Sequence, residues 1–352
     1  IKAGLSRLIA RVEDHPNIRV YTGTEVVRAD GFVGNFSSTL QTKGGLEKTV
    51  EHGVTIIATG AVEYKPDEYL YGKDSRIKTH LELDRLFLTG DPILEEIGCA
   101  VFIQCVGSRE PDRPYCSRVC CTHTMESALE LKRRNPEIQI YVFYRDIRTY
   151  GEREDLYNQA RDAGISFIRY DLEQKPRVIK NGGNLEIQAY DPILGRHLRL
   201  EADLVTLATA IVPPEKNELA KLFKLPVSDN GFFIEAHAKL RPVDFATDGI
   251  FLCGLAHYPK SLDESLEQAL AAAATVMVGG AVAEVDAACC SRCGISVEVC
   301  PFGAAGFSDK GHAEVNAALC KGCGLCTASC RSGALRLKGY EDSQIIAMIN
   351  QI

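Results

Sequence analysis

Four cysteines near the C-terminus constrain this chain more than any other feature. Cys320-Lys-Gly-Cys323-Gly-Leu-Cys326-Thr-Ala-Ser-Cys330 separates its thiols by two, two and three residues. Three thiolates at such gaps can each take one corner of an iron–sulfur cubane, while the fourth reaches across to a second cluster when two runs are paired. Gly322 and Gly324 let the backbone turn tightly between ligands and aim N–H groups at sulfur. The alternative is a structural zinc site, which asks for four thiolates around one ion and no crossed pattern.

An upstream run, Cys290-Ser-Arg-Cys293-Gly-Ile-Ser296-Val-Glu-Val-Cys300-Pro301, follows the same template, with Ser296 where the third cysteine belongs. Crossing assigns Cys320, Cys323, Cys326 and Cys300 to one [4Fe–4S] site. Cys290, Cys293 and Cys330 remain for the other, which is one thiolate short. Several arrangements stay open there: Ser296 ligates as an alkoxide, Cys289 swings in, the cluster has three irons, or the thiols merely pack. Residues 286–338 are expected to form an α+β unit like a bacterial ferredoxin, and 339–352 a terminal helix carrying Ile345, Ile346 and Ile349. The fourteen cysteines fall into two tight groups with Cys99 and Cys253 as strays. Clustered thiols at short gaps read as metal ligands in a reducing compartment, not as a disulfide scaffold.

The chain as a whole has ordinary globular composition, 45% hydrophobic and 25% charged over 352 residues, enough for two or three domains. A net charge of −7 without a basic stripe gives no footprint for nucleic acid. Leu270 to Val278 is too short and too Ala-rich to span a bilayer. The chain opens on Ile1, so the native N-terminus is expected to lie elsewhere. Residues 1 to 98 read as short strands and turns, with Ile18–Tyr21 and Glu25–Arg28 strand-like and Gly53–Gly60 a buried strand ending in Ala-Thr-Gly. Strands at 100–104, 138–144 and 165–169 alternate with helices at 124–134 and 152–163, the pattern of a parallel α/β sheet. A hairpin at 185–190 and 196–200 and buried strands at 203–210 and 249–254 follow. A long helix from Ser261 to Val278 completes this part.

The strand at 100–104 runs into Cys105-Val-Gly-Ser-Arg109, and Cys116-Ser-Arg-Val-Cys120-Cys121 opens the next helix. A phosphate-binding α/β unit places a glycine-rich loop at this turn. Only Gly107 remains of one, so thiols replace the nucleotide site, and the helix start favours an anionic cluster. Buried cysteines without metal are the plain alternative.

These two motifs, together with Gly254-Leu-Ala-His-Tyr-Pro-Lys-Ser-Leu-Asp-Glu-Ser265 and the C-terminal cysteine runs, resemble the flavoprotein A subunit of heterodisulfide reductases. The resemblance runs from roughly residue 15 to the end. It implies an α/β fold with two dinucleotide-binding domains, thioredoxin-reductase-like, that lacks its first Rossmann segment and carries a ferredoxin-like tail. It implies FAD, [4Fe–4S] clusters, and Cys105, Cys116, Cys120 and Cys121 as ligands of an unusual central cluster. The expected domains are a partial FAD lobe at 1–98, an inserted Rossmann-like lobe with the cysteine group at 99–212, the rest of the FAD lobe at 213–285, and the tail.

Ala58-Thr59-Gly60 matches the segment where such flavoproteins cross between lobes, and Ala208-Thr209-Ala210 matches it loosely. In the resembled family, the strand ending at Gly254 and the helix from Ser261 close over the flavin, with the helix dipole at its pyrimidine edge. Thr59, Gly60, Gly254, His257, Pro259 and Lys260 are therefore the candidate flavin-binding residues; a solvated loop is the plain reading of His257 and Lys260. The G-x-G-x-x-G fingerprint of the pyrophosphate site is absent. The missing lobe is expected upstream in a longer chain or on another subunit. Electron-bifurcating relatives carry a Lys five residues past the paired cysteines; Glu126 stands there, which favours simple relay.

The resemblance implies an oxidoreductase subunit in a cytoplasmic, oligomeric complex. Its partners would be other heterodisulfide-reductase-like subunits and an electron-donating hydrogenase, formate dehydrogenase or quinone-linked module. The rivals are a stand-alone NAD(P)H-dependent flavoprotein and a non-catalytic electron-carrying half-subunit.

Overall fold

The computed structural model describes residues 2–278, 282–317, 319–338 and 346. Its centre is a five-stranded parallel sheet in the order Ile77–Thr79, Leu204–Thr209, Cys99–Val106, Gln139–Tyr144, Ser166–Arg169. Both faces are covered, so alternate residues of one strand enter different cores, as parallel sheets require. Ala100 and Phe102 pack with Met125, Ala128 and Leu131 of helix Cys120–Arg134 and with Leu83 of helix His80–Thr89. Val101 and Ile103 pack with Leu185 and Ile187 from an antiparallel sheet of Arg177–Asn181, Asn184–Asp191 and Arg196–Ala202. The expected hairpin is present, with one more strand than the sequence pattern suggested.

Ile77–Thr79 belongs to this sheet, so the lobe enlists residues ahead of the expected boundary at 99. Three residues are too few for a periodicity to show, and the next helix begins at once, with the Thr79 backbone N–H donating to the Glu82 carboxylate at 2.9 Å.

The second lobe begins with helix Lys2–Glu13, where the sequence pattern suggested only strands and turns; Ile18–Tyr21, expected as a strand, is irregular. Leu5, Leu8, Ile9 and Val12 follow helical spacing but are exposed. A three-stranded antiparallel meander follows, Thr24–Phe32, Asn35–Thr42 and Glu47–His52. Thr55–Ile57 then pairs in parallel with Ile250–Leu252, and among the described residues these two form a sheet of their own. With one strand partner, Ile56 stays 41% exposed, so the expected buried strand at 53–60 is shorter and wetter than its composition implied.

The lobes are joined by two crossings. Val62–Glu63 and Ile211–Val212 pair antiparallel, directly after the two Ala-Thr segments. The C-terminal part repeats a strand–helix–strand unit: Ala283–Val285, Ile295–Val299 and Ala305–Phe307, then Ala313–Val315, Leu325–Ser329 and Leu335–Leu337. The outer strands pair with each other and the inner strands with each other, both antiparallel. The terminal helix expected at 339–352 lies outside the described residues, Ile346 apart. Among the described residues, no helix is long and apolar enough to cross a membrane.

Candidate functional site

Each short helix of the C-terminal part follows a left-handed glycine, Gly294 with φ 81° and Gly324 with φ 76°. The chain reverses there and folds its cysteines around a recess. Cys300, Cys320, Cys323 and Cys326 line one recess. Cys290, Cys293, Cys330 and Ser296 line the other. These are the two groups that crossing between the runs assigns.

Backbone amides point at the sulfurs. Ala304 donates to Cys300 Sγ at 3.3 Å, Ala313 to Cys290 Sγ at 3.4 Å and Ala283 to Cys320 Sγ at 3.5 Å. Burial pushes the Cys300 and Cys330 thiols up, but hydrogen-bond donors around them outweigh it and hold both below the ordinary thiol value. Such donors suit anionic sulfur, and hence a cluster. Among the described residues, no three His, Cys, Asp or Glu side chains converge on a point as a single metal ion needs. The thiols ring recesses instead.

The central group stands at the carboxyl end of strand Cys99–Val106 and the start of helix Cys120–Arg134. Cys105, Cys120 and Cys121 are buried and Cys116 is half-buried. All four are close enough that charge on one raises the cost of charge on another. The hydrogen bond between adjacent thiols splits that pair: Cys121 is pulled to about 7, and Cys120 is pushed well above the usual value. Arg148 and Arg109 add to the pull on Cys121.

The loop is held by strained backbone. Cys105, Arg109 and Arg118 have φ of 60°, 58° and 64°. Arg109 Nη1 donates to Cys105 Sγ at 3.8 Å while its other end pairs with Asp146 at 2.5 Å. The backbone N–H of Arg118 donates to Cys116 Sγ at 3.3 Å. Four buried or half-buried thiols with cationic neighbours are a donor set that fits an anionic cluster.

Facing this loop is the segment after Ile250–Leu252. Cys253 N donates to Ile57 O at 3.1 Å, so Gly60 and Gly254 leave the carboxyl ends of one strand pair together. Thr59 is exposed there, and Gly60, with φ 72°, is half-buried. Lys260 is 5% exposed, and His257 is held by Glu235 at 2.7 Å, so neither lies in a solvated loop. Gly254 N donates to Gln268 Oε1 at 3.0 Å, which fixes the amide and leaves its Nε2 to donate to His257 Nδ1 at 2.8 Å. Lys260 also reaches Gln268 Oε1, and lies 3.2 Å from His257 Nδ1. With donors at Nδ1, the His257 proton sits on Nε2 and is donated to Glu235. Burial lowers the Lys260 ammonium to about 8, and burial followed by the Lys260 charge lowers His257.

Between the two loops lies a cleft of about 880 Å³ whose walls include Cys116, Arg118 and Tyr150 on one side and Glu235, His257 and Tyr258 on the other. Pro259 lies in this wall and Lys260 behind it. Glu126 is exposed on its helix and does not line the cleft. The volume and mixed polar and aromatic walls suit a ring system with polar edges.

No protein-family model matches the chain. Among curated proteins, it is 39% identical over 294 residues to the A subunit of the H(2):CoB-CoM heterodisulfide,ferredoxin reductase of Methanothermobacter marburgensis, covering 76% of this chain and 44% of that one. It is 37% identical to the iron-sulfur A subunit of the CoB--CoM heterodisulfide reductase of Methanocaldococcus jannaschii, covering 85% of this chain and 50% of that one. The chain belongs to the family of heterodisulfide reductase A subunits. It spans about half the length of the family members it matches.

Solved structures agree on the fold. Thioredoxin reductase of T. acidophilum superposes with a TM-score of 0.52 at 11% identity, covering 78% of this chain and 80% of that one. The HOCl-induced flavoprotein disulfide reductase RclA of Escherichia coli gives 0.53 at 14%, covering 81% and 58%. The fold is thus the α/β thioredoxin-reductase-like flavoprotein fold.

Several site residues escape a reading of motifs alone. Arg118 is only one letter inside the cysteine motif; in the fold its guanidinium reaches Glu264 at 2.6 Å and Tyr150 Oη at 2.8 Å. Glu235 and Gln268 carry no motif, and only the fold brings them to His257.

Proposed function

We propose that this chain is the flavin and iron–sulfur electron-transfer part of a heterodisulfide-reductase-like oxidoreductase. The single observation that carries the reading is the grouping of eleven cysteines in three places, two in the C-terminal recesses and one at the strand-to-helix turn whose Cys116 reaches the cleft. The C-terminal strand–helix–strand repeat with those recesses supports a ferredoxin-like domain that holds two clusters. Cys105, Cys116, Cys120 and Cys121 would hold a third. FAD, when bound, would exchange electrons in pairs with a partner and singly with the clusters.

The protein's own groups prepare the cleft for that cofactor. Gly60 and Gly254 leave room at the strand ends, where ligands of open α/β sheets bind. His257 stays neutral, fixed by Glu235 on one side and Gln268 on the other. Lys260 and the start of helix Leu262–Val278 place positive potential beside one wall of the cleft, which favours an anionic ring edge. Arg118 couples the cysteine loop to the Pro259 carbonyl at 3.5 Å and to Glu264, holding the two donor regions in register.

Relatives are named as subunits of hydrogen- and formate-linked heterodisulfide reductases. By extension, the partners of this chain are other members of such a complex with a hydrogenase, formate dehydrogenase or quinone-linked electron donor. None of the fourteen cysteines is paired in a disulfide, which suits a reducing, cytoplasmic setting. A stand-alone NAD(P)H-dependent reductase would need a glycine-rich phosphate loop after strand Cys99–Val106, and that turn holds thiols and one glycine.

The test is a visible spectrum of the anaerobically purified chain with extracted flavin quantified. Iron–sulfur absorbance bleached by dithionite, together with flavin, supports the reading. Rapid reduction by NADH with no iron would overturn it.

A further inference from the structure

The two C-terminal recesses repeat one arrangement of four ligand positions and differ in residue type at one of them. Cys326 is the second residue of helix Leu325–Ser329, just after left-handed Gly324. Ser296 is the second residue of helix Ile295–Val299, just after left-handed Gly294. Ser296 therefore stands where Cys326 stands in the other half, 6% exposed and lining the recess with Cys290, Cys293 and Cys330. Cys289 is the other sulfur nearby, but it is exposed and hydrogen-bonded to the Asp286 side chain, and does not line the recess. Recruiting it would break that bond and pull the chain inward. The oxygen, not a spare thiol, is the group the fold presents to the fourth corner.

We propose that Ser296 Oγ ligates the fourth iron of the Cys290/Cys293/Cys330 site, and that this iron alone is released on mild oxidation. The inference rests on the iron–sulfur reading above. An alkoxide is a harder donor than thiolate, and a serine hydroxyl gives up its proton only when bound to metal. Oγ binds iron as its proton passes to solvent. It lets go when a proton returns and the iron leaves. The balance is [4Fe–4S]²⁺ to [3Fe–4S]⁺ plus Fe²⁺ plus one electron, the electron going to a one-electron oxidant such as ferricyanide. Three thiolates keep the remaining irons. The all-cysteine site, with a thiolate at every corner, is the resistant twin. Electron flow through the upstream site would then depend on iron supply and oxidant exposure, while the all-cysteine site is unaffected.

The full chain, reconstituted anaerobically, is titrated with ferricyanide and followed by EPR and iron analysis. Wild type is compared with Ser296→Cys and Ser296→Ala. The expected result is loss of about one iron per chain from wild type, with a three-iron signal near one spin per chain. Ser296→Cys keeps its iron and shows no such signal. Ser296→Ala shows the three-iron signal as isolated, before oxidant is added. Identical behaviour of wild type and Ser296→Cys overturns the inference, and so does identity of wild type with Ser296→Ala. A reduced-cluster signal from the all-cysteine site is the control. Its absence in all three proteins would overturn the iron–sulfur reading itself, and this inference with it.

Discussion

Gly107 shows how much one residue carries in the cysteine loop. Its φ is 72°, and a Cβ there would stand 2.3 Å from the Tyr64 ring, which Arg113 covers from 4.3 Å. Gly107→Ala is expected to destabilise the chain by about 2–3 kcal/mol, read from urea unfolding, with partial recovery in Gly107→Ala/Tyr64→Ala. Lys260 gives a pH signature. Its folded value of about 8 lies below the unfolded 10.5, so the unfolded state binds more protons between them. Burying the charge costs stability in full below about pH 8, and that cost is relieved as pH rises toward 10.5. Relative to Lys260→Met, the wild-type chain should gain up to about 1.4 kcal/mol per pH unit in that window. A gap independent of pH would show that the ammonium is solvated. Cysteine spacing made the metal-ligand candidates legible, because a covalent geometry imposes it. Glu235 and Gln268 were not legible, since their partners at His257 lie 22 and 11 residues away in the chain.

Elements were legible where burial imposed one period and illegible where it did not. Strand Cys99–Val106 is packed by two cores and helix Cys120–Arg134 by one of them, so their apolar patterns are strong. Helix Lys2–Glu13 is exposed along Leu5, Leu8, Ile9 and Val12, and no packing partner among the described residues settles its conformation. In the C-terminal part, the crossed ligand sets give a test that neighbours in sequence would fail. Cys300→Ala should convert the cluster of Cys320, Cys323 and Cys326 to a three-iron form, while Cys330→Ala leaves only Cys290 and Cys293 and removes theirs. EPR of the dithionite-reduced variants distinguishes the two. Loss of the wrong partner set in either variant would show that each run closes its own site.

The two lobes are tied by arginines on one side and the first turn of helix Leu262–Val278 on the other: Arg118 with Glu264 at 2.6 Å and Arg153 with Asp263 at 2.6 Å. Asp263 is largely exposed, so Arg153→Ala is expected to cost a few tenths of a kcal/mol, and Arg118→Ala about 1 kcal/mol. Arg118→Ala keeps the backbone N–H that donates to Cys116 Sγ, so the reduced signal of the central cluster is expected to persist; its loss would show that the guanidinium itself holds the cysteine loop. The most direct measurement for the whole molecule is iron and acid-labile sulfide per chain after anaerobic reconstitution. Three donor sets predict about eleven to twelve irons with matching sulfide, falling by about four in Cys120→Ala/Cys121→Ala, which leaves two thiolates at the central site. A chain that binds zinc in place of iron, or holds only the irons of its C-terminal sites, would refute three-cluster binding.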